Sequence, residues 1–360
     1  MVICFAPLRA QNKVNKIVTT AVPFLRIMPD ARSGALANAG IAIGGGDNAI
    51  FHNMAATVFD AKTAGISVGY TPWMGAEKAD AYLASVSGYK QLSENRAFSA
   101  GIRYFNMGTV NLADEQGAAL GTTSPREYGL DLGYSMKLGQ QLSLGLSFHY
   151  IHSKLVSGNY NGVNYKAGNA VAADISLFHN GLNREGAGWT WGAVLSNLGT
   201  RISYSSDATQ KDFIPANAGV GAAYTTVPND QNKIRFTVDI NKLLVPAVPG
   251  DSAGIAGYYN SSVMSSWFKS LGSDGGGLKS LQYSVAAEYV FDECLFLRAG
   301  YYYQNRSVGG QQYFTAGAGL KYEIAEIDVA YLAPSGSGLE RNPLSNTVRF
   351  SVSFALDKKK

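Results

Sequence analysis

The chain has 360 residues and a formal net charge of +4, and only 16% of its residues are charged, which is low for a soluble protein of this size. No run of about 18 apolar residues occurs, so a helical membrane protein is excluded. The Lys and Arg residues are scattered and form no basic stripe among aromatic residues, which argues against a nucleic-acid partner. The 41 Gly and 21 Tyr residues fit an outer-membrane-type barrel, in which Tyr populates the girdles at the membrane interfaces.

Residues 1–11, which read M-V-I-C-F-A-P-L-R-A-Q, are similar to the end of a signal peptide. A short apolar run precedes small and polar residues near a plausible cleavage position at Ala10 or Gln11. We therefore predict that residues 1–11 are the remnant of a signal peptide, that Cys4 is removed with it, and that the protein is exported. An ordinary N-terminal tail is the alternative.

Residues 12–63 are predicted to form an N-terminal extension, and within it residues 24–56 a plug inside the barrel. This stretch is rich in small residues, contains paired glycines and shows no sustained alternation, and Asp30 is placed to cap a short helical turn. A compact segment of small residues is what a plug in a barrel lumen requires, whereas a periplasmic extension is the alternative. The residues expected to form the plug are Phe24, Leu25, Pro29, Asp30, Arg32, Asp47 and Asn53.

From residue 64 onward, apolar and polar residues alternate with a period of two, the pattern of a strand with one apolar face. In the last such segment Val348, Phe350 and Val352 alternate with Arg349 and Ser351. Its length of about ten residues is what a tilted strand needs to cross a bilayer. About fourteen segments of this kind occur, near residues 64–72, 80–90, 96–106, 126–138, 141–154, 170–178, 188–198, 216–226, 233–241, 280–291, 294–304, 312–322, 324–333 and 345–356.

These segments predict an all-β fold, a transmembrane antiparallel β-barrel of about 14 strands that covers residues 64–356 and ends in a periplasmic tail at residues 357–360. The charged residues of the strands fall on the polar face, and a Lys or Arg that faced lipid at mid-depth would cost about 2–4 kcal/mol. The charges are therefore expected to line the lumen and to pair across strands or with the plug. They are Arg103, Asp131, Lys137, Arg235, Asp239, Glu288, Arg298, Lys321, Glu326, Asp328 and Arg349.

The connections between the segments alternate in length, and bacterial barrels keep short turns on the periplasmic side and long loops outside. We therefore expect a barrel in the bacterial outer membrane with both termini in the periplasm. The predicted short turns are residues 91–95, 139–140, 179–187, 227–232, 292–293 and the turn around Glu323. The predicted outer connections are residues 73–79, 107–125, 153–169, 199–215, 242–279, 305–311 and 334–344.

The longest connection, residues 242–279, begins with the apolar, proline-containing stretch K-L-L-V-P-A-V-P-G and later carries aromatic residues. An exposed apolar loop above the membrane is a signal of partner binding. A lid that folds into the barrel mouth is an equally good interpretation. The residues predicted to contact a partner or cargo are Leu243, Leu244, Val245, Pro246, Pro249, Tyr258, Tyr259, Trp267 and Phe268.

Several motifs resemble the PorV family, the outer-membrane barrels of the type IX secretion system in Bacteroidetes, which are related to the long-chain fatty acid transporter barrels. The motifs are A-V-P-F-L-R-I-M-P-D-A-R at residues 21–32, G-A-L-A-N-A-G-I-A at 34–42, G-I-S-V-G-Y-T-P-W at 65–73, R-Y-F at 103–105 and K-L-L-V-P at 242–246. One departure occurs where the family usually closes the plug with W-N-P-A. This chain reads F-H-N-M-A-A at residues 51–56, which keeps Asn53 and lacks the Pro.

The resemblance implies a fourteen-stranded barrel, surrounded by outer-membrane lipids, that holds no small-molecule cofactor. Such proteins associate with a very large translocon barrel, collect secreted proteins that carry a C-terminal sorting domain, and deliver them to the surface attachment complex. In that picture residues 242–279 form the surface that contacts cargo and translocon, and the plug closes the lumen. A PorQ-like paralogue is an alternative relative.

The sequence nominates no catalytic or metal site. His149 and His152 are three residues apart on a strand and point to opposite faces, so they cannot share a metal ion. No G-x-S-x-G nucleophile elbow occurs. We therefore predict a non-enzymatic secretion component. The alternative is an outer-membrane transporter of hydrophobic small molecules, and a weaker one is a surface enzyme that acts on lipopolysaccharide.

Overall fold

The computed structural model describes residues 18–72, 80–114, 116–160, 162–206, 211–249, 252–272, 277–335 and 346–358. The predicted signal-peptide remnant, Trp73 of the Y-T-P-W motif and the last two residues of the predicted tail lie outside these ranges.

The described residues form strands β1 (Lys62–Pro72), β2 (Ala81–Ser93), β3 (Arg96–Met107), β4 (Val110–Ala113), β5 (Ala119–Thr123), β6 (Arg126–Lys137), β7 (Leu142–Lys154), β8 (Gly158–Tyr160), β9 (Val163–Tyr165), β10 (Gly168–Leu182), β11 (Gly188–Gly199), β12 (Asn217–Asn229), β13 (Asn232–Leu243), β14 (Gln282–Phe291), β15 (Leu295–Gln304), β16 (Gln312–Tyr322), β17 (Ala325–Pro334) and β18 (Thr347–Lys358). The α-helices are α1 (Ala31–Ala35), α2 (Ser252–Asn260) and α3 (Val263–Leu271). Short 3-10 helices cover Pro23–Arg26, Ala49–Phe51, Met54–Phe59, Gly277–Ser280 and Arg306–Val308. None of the described helices is long and apolar enough to cross a membrane.

Fourteen antiparallel strands close into a barrel in the order β1, β2, β3, β6, β7, β10 to β18 and back to β1. The closure between β1 and β18 sets Val68 opposite Val352. The predicted fold, a fourteen-stranded antiparallel barrel with an N-terminal plug, is confirmed. Strands β4 with β5 and β8 with β9 form two separate hairpins within the long connections after β3 and β7.

The period-two pattern places one face of each strand toward lipid and the other toward the lumen. On β18, Phe350 and Phe354 are exposed while Arg349 and Ser351 are buried. Only apolar side chains suit the lipid face, so the alternation fixes which way each strand faces. Outward-facing tyrosines contact one another across strands near the long loops; the ring centroids of Tyr70 and Tyr82 are 5.6 Å apart. This row is one aromatic girdle.

The short connections lie at the end of the barrel where β1 begins and β18 finishes, since Lys62 pairs with Lys358. The long connections lie at the opposite end. The segment ahead of β1 starts at this long-loop end, where the Ala21 N–H donates to the Phe213 carbonyl oxygen at 3.0 Å. It then passes through the lumen to Asp60, whose carboxylate accepts from the Lys62 N–H at 2.9 Å. The barrel thus begins and ends on one side, whereas the described part of the plug begins on the other.

The plug packs against the wall through small residues on both sides of the contact. Ala31 and Ala35 of α1 form a cluster with Ala330 of β17. At Gly145 the wall comes so close that an added Cβ would lie 2.4 Å from the backbone nitrogen of Ala55. The glycines and alanines of this segment therefore serve close packing in a crowded lumen.

We predict that Gly145→Val weakens the seat of the plug, because the new side chain must push back the backbone at Ala55. Overpacking of this kind costs roughly 1–3 kcal/mol. The folded, fast-migrating form on a detergent gel should convert to the unfolded form at a lower temperature than in the unaltered protein. Gly139→Val is the matched control, since a Cβ at Gly139 meets no atom within 4 Å. Equal conversion temperatures for the two variants would contradict the prediction.

Candidate functional site

An ion network centred on Glu288 of β14 joins the plug to the barrel wall. Its carboxylate accepts from Arg32 of α1 at 3.0 Å, from Arg298 of β15 at 2.7 Å and from Arg235 of β13 at 3.1 Å. Arg298 also pairs with Asp328 of β17. A buried carboxylate needs such partners, because an unpaired charge in the lumen would be costly. The network ties α1 of the plug to neighbouring wall strands.

Other wall charges satisfy the backbone of the plug. Asp239 accepts from the backbone N–H groups of Gly40 at 2.8 Å and Ile41 at 2.9 Å. Arg103 donates to the Leu25 carbonyl at 3.0 Å, and Arg349 donates to the Met28 carbonyl at 3.2 Å. The plug has no regular partner strand, so these side chains supply the hydrogen bonds that its irregular backbone requires.

The structure places all of the predicted lumen charges at inward-facing positions of their strands. Lys321 and Glu326 border a smaller cavity of 210 Å³ together with Arg32, Arg235 and Glu288. The ammonium of Lys137 lies 5.0 Å from the centre of the Phe59 ring at the end of the plug. The remaining predicted lumen charges, Arg103, Asp131, Asp239, Arg298, Asp328 and Arg349, are buried.

The turns of the plug are fixed by its own polar side chains. Asp30 caps α1 by accepting from the Ser33 N–H at 2.8 Å, and it also contacts His52 at 3.1 Å. Burial alone would raise the pKa of Asp30, but the hydrogen bond and charge of His52 together with the bonds from Ser33 lower the pKa to about 2. This contact joins the two halves of the plug.

Asn53, which the chain keeps from the family motif, shapes the last turn of the plug through its hydrogen bonds. Its amide donates to the Ile41 carbonyl at 2.8 Å and to the Leu177 carbonyl at 3.0 Å. Its side-chain oxygen caps the following 3-10 helix by accepting from the Ala55 N–H at 3.1 Å.

Near the short-turn end Asp47 is buried, and this burial raises the pKa of its carboxyl to about 7.

The rest of the predicted plug residues lie in the same packed segment. Phe24 and Leu25 are buried in an apolar cluster near the long loops, where the Phe24 and Phe105 rings are 6.4 Å apart. The carbonyl of Pro29 approaches the wall so closely that a Cβ on Gly69 would lie 2.5 Å from it.

Ser33, His52 and Asp30 meet inside the plug, which sequence reasoning missed. The contact is not a catalytic triad, because Ser33 Oγ at 2.9 Å and Asp30 Oδ2 at 3.1 Å both approach the same nitrogen, His52 Nε2. A general base must accept from the serine through one nitrogen while the carboxylate orients the other. The cluster therefore holds the plug together and activates no nucleophile.

A second missed cluster joins Arg103, Asp131, His149 and Asp174 across β3, β6, β7 and β10. Arg103 pairs with Asp131 at 3.1 Å, and His149 contacts both Asp131 and, at 2.9 Å, Asp174. The signal was present in the sequence, since Asp131 and His149 are directly paired residues on the inward face. Among the described residues no group of three or more His, Cys, Asp and Glu side chains is arranged to hold a metal ion.

The mouth of the barrel is covered by the connection after β11 and the first half of residues 242–279. Arg201 donates to the carbonyls of Tyr259 at 2.7 Å and Ser261 at 2.6 Å, and its guanidinium lies 3.8 Å from the centre of the Phe213 ring. Burial raises the pKa of Tyr258, which packs on Phe213, to about 12. This clamp fixes the end of α2 against the neighbouring loop.

The predicted partner residues divide into two groups. Leu243, Leu244, Val245 and Tyr258 are buried, and Pro246, Pro249, Tyr259 and Trp267 are half-buried. Phe268 is the one predicted residue that is exposed. It lies on α3 beside two residues that were not predicted, and Met264, Phe268 and Leu271 are 64%, 70% and 55% exposed. Their spacing of four and three residues puts them on one face of the helix. We call these three residues the α3 apolar stripe.

Beneath the mouth, a cavity of 350 Å³ remains between the plug and the wall. Pro23, Leu25 and Ile27 give it an apolar side, while side-chain amides of wall strands give it a polar one. The amides belong to Asn197, Asn217, Asn241 and Gln282. A partly polar space thus remains between the plug and the wall near the long loops.

Solved structures with this fold include transporters of small apolar molecules. The Ralstonia pickettii toluene transporter TbuX is 11% identical, with a TM-score of 0.54 over 90% of this chain and 96% of that one. The monoaromatic hydrocarbon channel CymD is 11% identical, with a TM-score of 0.54 over 92% and 98%. The deltaS2 mutant of the TodX channel is 14% identical, with a TM-score of 0.52 over 92% and 99%. At these identities the likeness establishes the fold alone.

No curated protein shows a significant match to the chain. The family model of the type IX secretion system protein PorV matches residues 9–250, which is more than half of the 360 residues. The matched range covers the plug, the first nine barrel strands and the start of the longest connection. The chain is an outer-membrane β-barrel and belongs to the PorV family of type IX secretion system proteins.

Proposed function

We propose that this protein is a non-enzymatic component of type IX secretion that binds the large translocon barrel, collects cargo with C-terminal sorting domains and passes it to the surface attachment complex. The observation that carries the proposal, beyond the family match, is the α3 apolar stripe. It lies at the long-loop end, and under this proposal that end faces the cell exterior while the short turns face the periplasm.

The arrangement of the mouth supports a binding role for this stripe. Apolar side chains of the first half of the connection are buried around Val245 and Phe213, so they serve as a base for the helices. The stripe has no such cover, and a rigid helix that presents an apolar face is a recurring way to dock into a partner groove. We assign partner contact to α3 and structural support to Leu243, Leu244 and Val245.

The plugged lumen supports a role that does not require passage through the barrel. Wall charges bind the plug at several depths, from Arg103 near the long loops to Glu288 nearer the short turns. Cargo recognition at the mouth needs a closed, rigid scaffold, and a plug held by buried ion pairs supplies one.

Transport of hydrophobic small molecules is the second candidate function, favoured by the fold shared with TbuX and by the cavity of 350 Å³. The amide lining and the bound plug argue against it, because an apolar substrate gains nothing from polar side chains that line its site. The two functions separate in proteoliposomes. Uptake of toluene above the level of protein-free liposomes would support the transporter, and no uptake supports the secretion role.

We predict that replacing Met264 and Phe268 of the α3 apolar stripe by Ser reduces recovery of partners without unfolding the barrel. Both side chains are exposed, so their loss removes contact area while the core stays intact. The measurement is affinity purification from gently solubilised outer membranes, with the translocon barrel and sorting-domain cargo quantified. Lys269→Ser, an exposed change on the same helix, is the control. Unchanged recovery in the double variant would refute the assignment of α3.

We predict that Glu288→Gln loosens the plug, because Arg32, Arg235 and Arg298 lose their shared counter-charge. Removing one partner of a buried ion pair costs roughly 3–5 kcal/mol. Liposomes that contain the variant should leak small hydrophilic solutes faster than those with the unaltered protein. Glu326→Gln is the control, since Glu326 contacts only the edge of the network at 3.4 Å. Leakage equal to that of the control would contradict the plug as the closing element.

A further inference from the structure

A groove of 390 Å³ runs over the outer surface of the barrel wall across β10 to β13. Its floor includes Ala193 and Ala218, and its sides are built by outward-facing residues such as Ile175, Leu195 and Val220. The volume is in the range, roughly 300–1,000 Å³, of sites that hold small ligands. Since the groove lies in the lipid-facing band, its lining is in contact with acyl chains.

The groove interrupts the aromatic girdle at the long-loop end. The girdle reaches Tyr150 on β7, which pairs with Val171 on β10. It resumes at Tyr283 on β14, which pairs with Ile240 on β13. At the height of this girdle the outward positions of the intervening strands carry aliphatic or small residues, such as Val171, Leu195 and Ala218, so a chain can lie against the wall there. The exposed Trp189 and Tyr224 lie nearer the short-turn end. The gap lies at the level of the membrane interface, where lipid headgroups contact the barrel.

A lysine stands at the upper end of the groove. Lys242 occupies an outward-facing position of β13, opposite Ala218 on β12, and lines the groove. It is buried under the 3-10 helix Gly277–Ser280, where its ammonium donates to the Gly277 carbonyl at 2.8 Å and to the Ser280 hydroxyl. An ammonium has three N–H donors, so one is left for a ligand. Within the described ranges no carboxylate pairs with Lys242.

We propose that this groove and Lys242 form a binding site for one anionic, phosphate-bearing lipid of the membrane, with an acyl chain in the groove and a phosphate at the ammonium. Apolar surface gives little preference for one lipid over another, because the bilayer is equally apolar. The charge of Lys242 therefore supplies the preference for an anionic lipid, and the shape of the groove holds the acyl chain. The site is separate from the α3 apolar stripe and does not depend on the secretion role.

The test uses the full-length protein and native mass spectrometry with phosphatidylglycerol and phosphatidylcholine of matched chains. The unaltered protein should retain one lipid and prefer phosphatidylglycerol by about fivefold. This preference corresponds to the attraction between one lysine and an anionic membrane surface. Lys242→Gln should keep a lipid and lose the preference. Equal retention of the two lipids by the unaltered protein would overturn the proposal.

A second experiment fills the groove with a larger side chain. Val220→Trp places a ring in the groove, and Val285→Trp places one on β14 outside it; the two valines are 54% and 50% exposed, so both variants should fold. Val220→Trp should lose the retained lipid, and Val285→Trp should keep it. Lipid retention unchanged in Val220→Trp overturns the proposal. Loss of a co-purified membrane protein with lipid retention unchanged would assign the groove to a protein interface instead.

Discussion

The structure depends on the pairing of charge inside a closed wall. Glu288 is shared by an arginine of the plug and by arginines of the two strands beside it, β13 and β15. Removing any one of these charged groups would leave a buried charge without its partner, which is costly. A barrel of this size without a plug would hold water, and the inward charges would pair only with one another. With the plug in place, they also satisfy a backbone that has no neighbouring strand.

The barrel could be predicted from the sequence because lipid imposes one rule on every strand. Period two fixes the face of each side chain, so the pattern predicts inward positions for Asp239 and Arg349 without any knowledge of their partners, and both are buried. The closure order followed from antiparallel neighbours and alternating connection lengths. Strand ends were less certain. β18 continues through Asp357 to Lys358, because pairing with β1 extends to Lys62 and carries the strand beyond the apolar pattern.

The plug and the mouth were harder to predict because long-range contacts decide them. The motif F-H-N-M-A-A lacks proline, and only the wall shows why Asn53 suffices, since its amide reaches the carbonyl of Leu177 on β10. His52 and Asp30 are far apart in sequence and meet only when the plug folds back on itself. In the longest connection, apolar residues at the start and on α3 look alike in sequence. In the structure the residues at the start are buried and those on α3 are exposed. The start is buried because Arg201 and Phe213, from another loop, pack against the first half of the connection.

One sector of the barrel carries the features that the fold alone does not explain. The connection from β11 to β12 and the longest connection from β13 to β14 cover the mouth above the same wall that bears the groove. Val194 and Asn241 line both this groove and the cavity inside, so here the groove and the cavity lie on opposite faces of the same strands. One fold hosts many functions, so function must be argued from the sites that the fold carries. In this chain the loops, the groove and Lys242 lie in one sector, so the proposed partner contact and the proposed lipid contact fall on one side of the barrel.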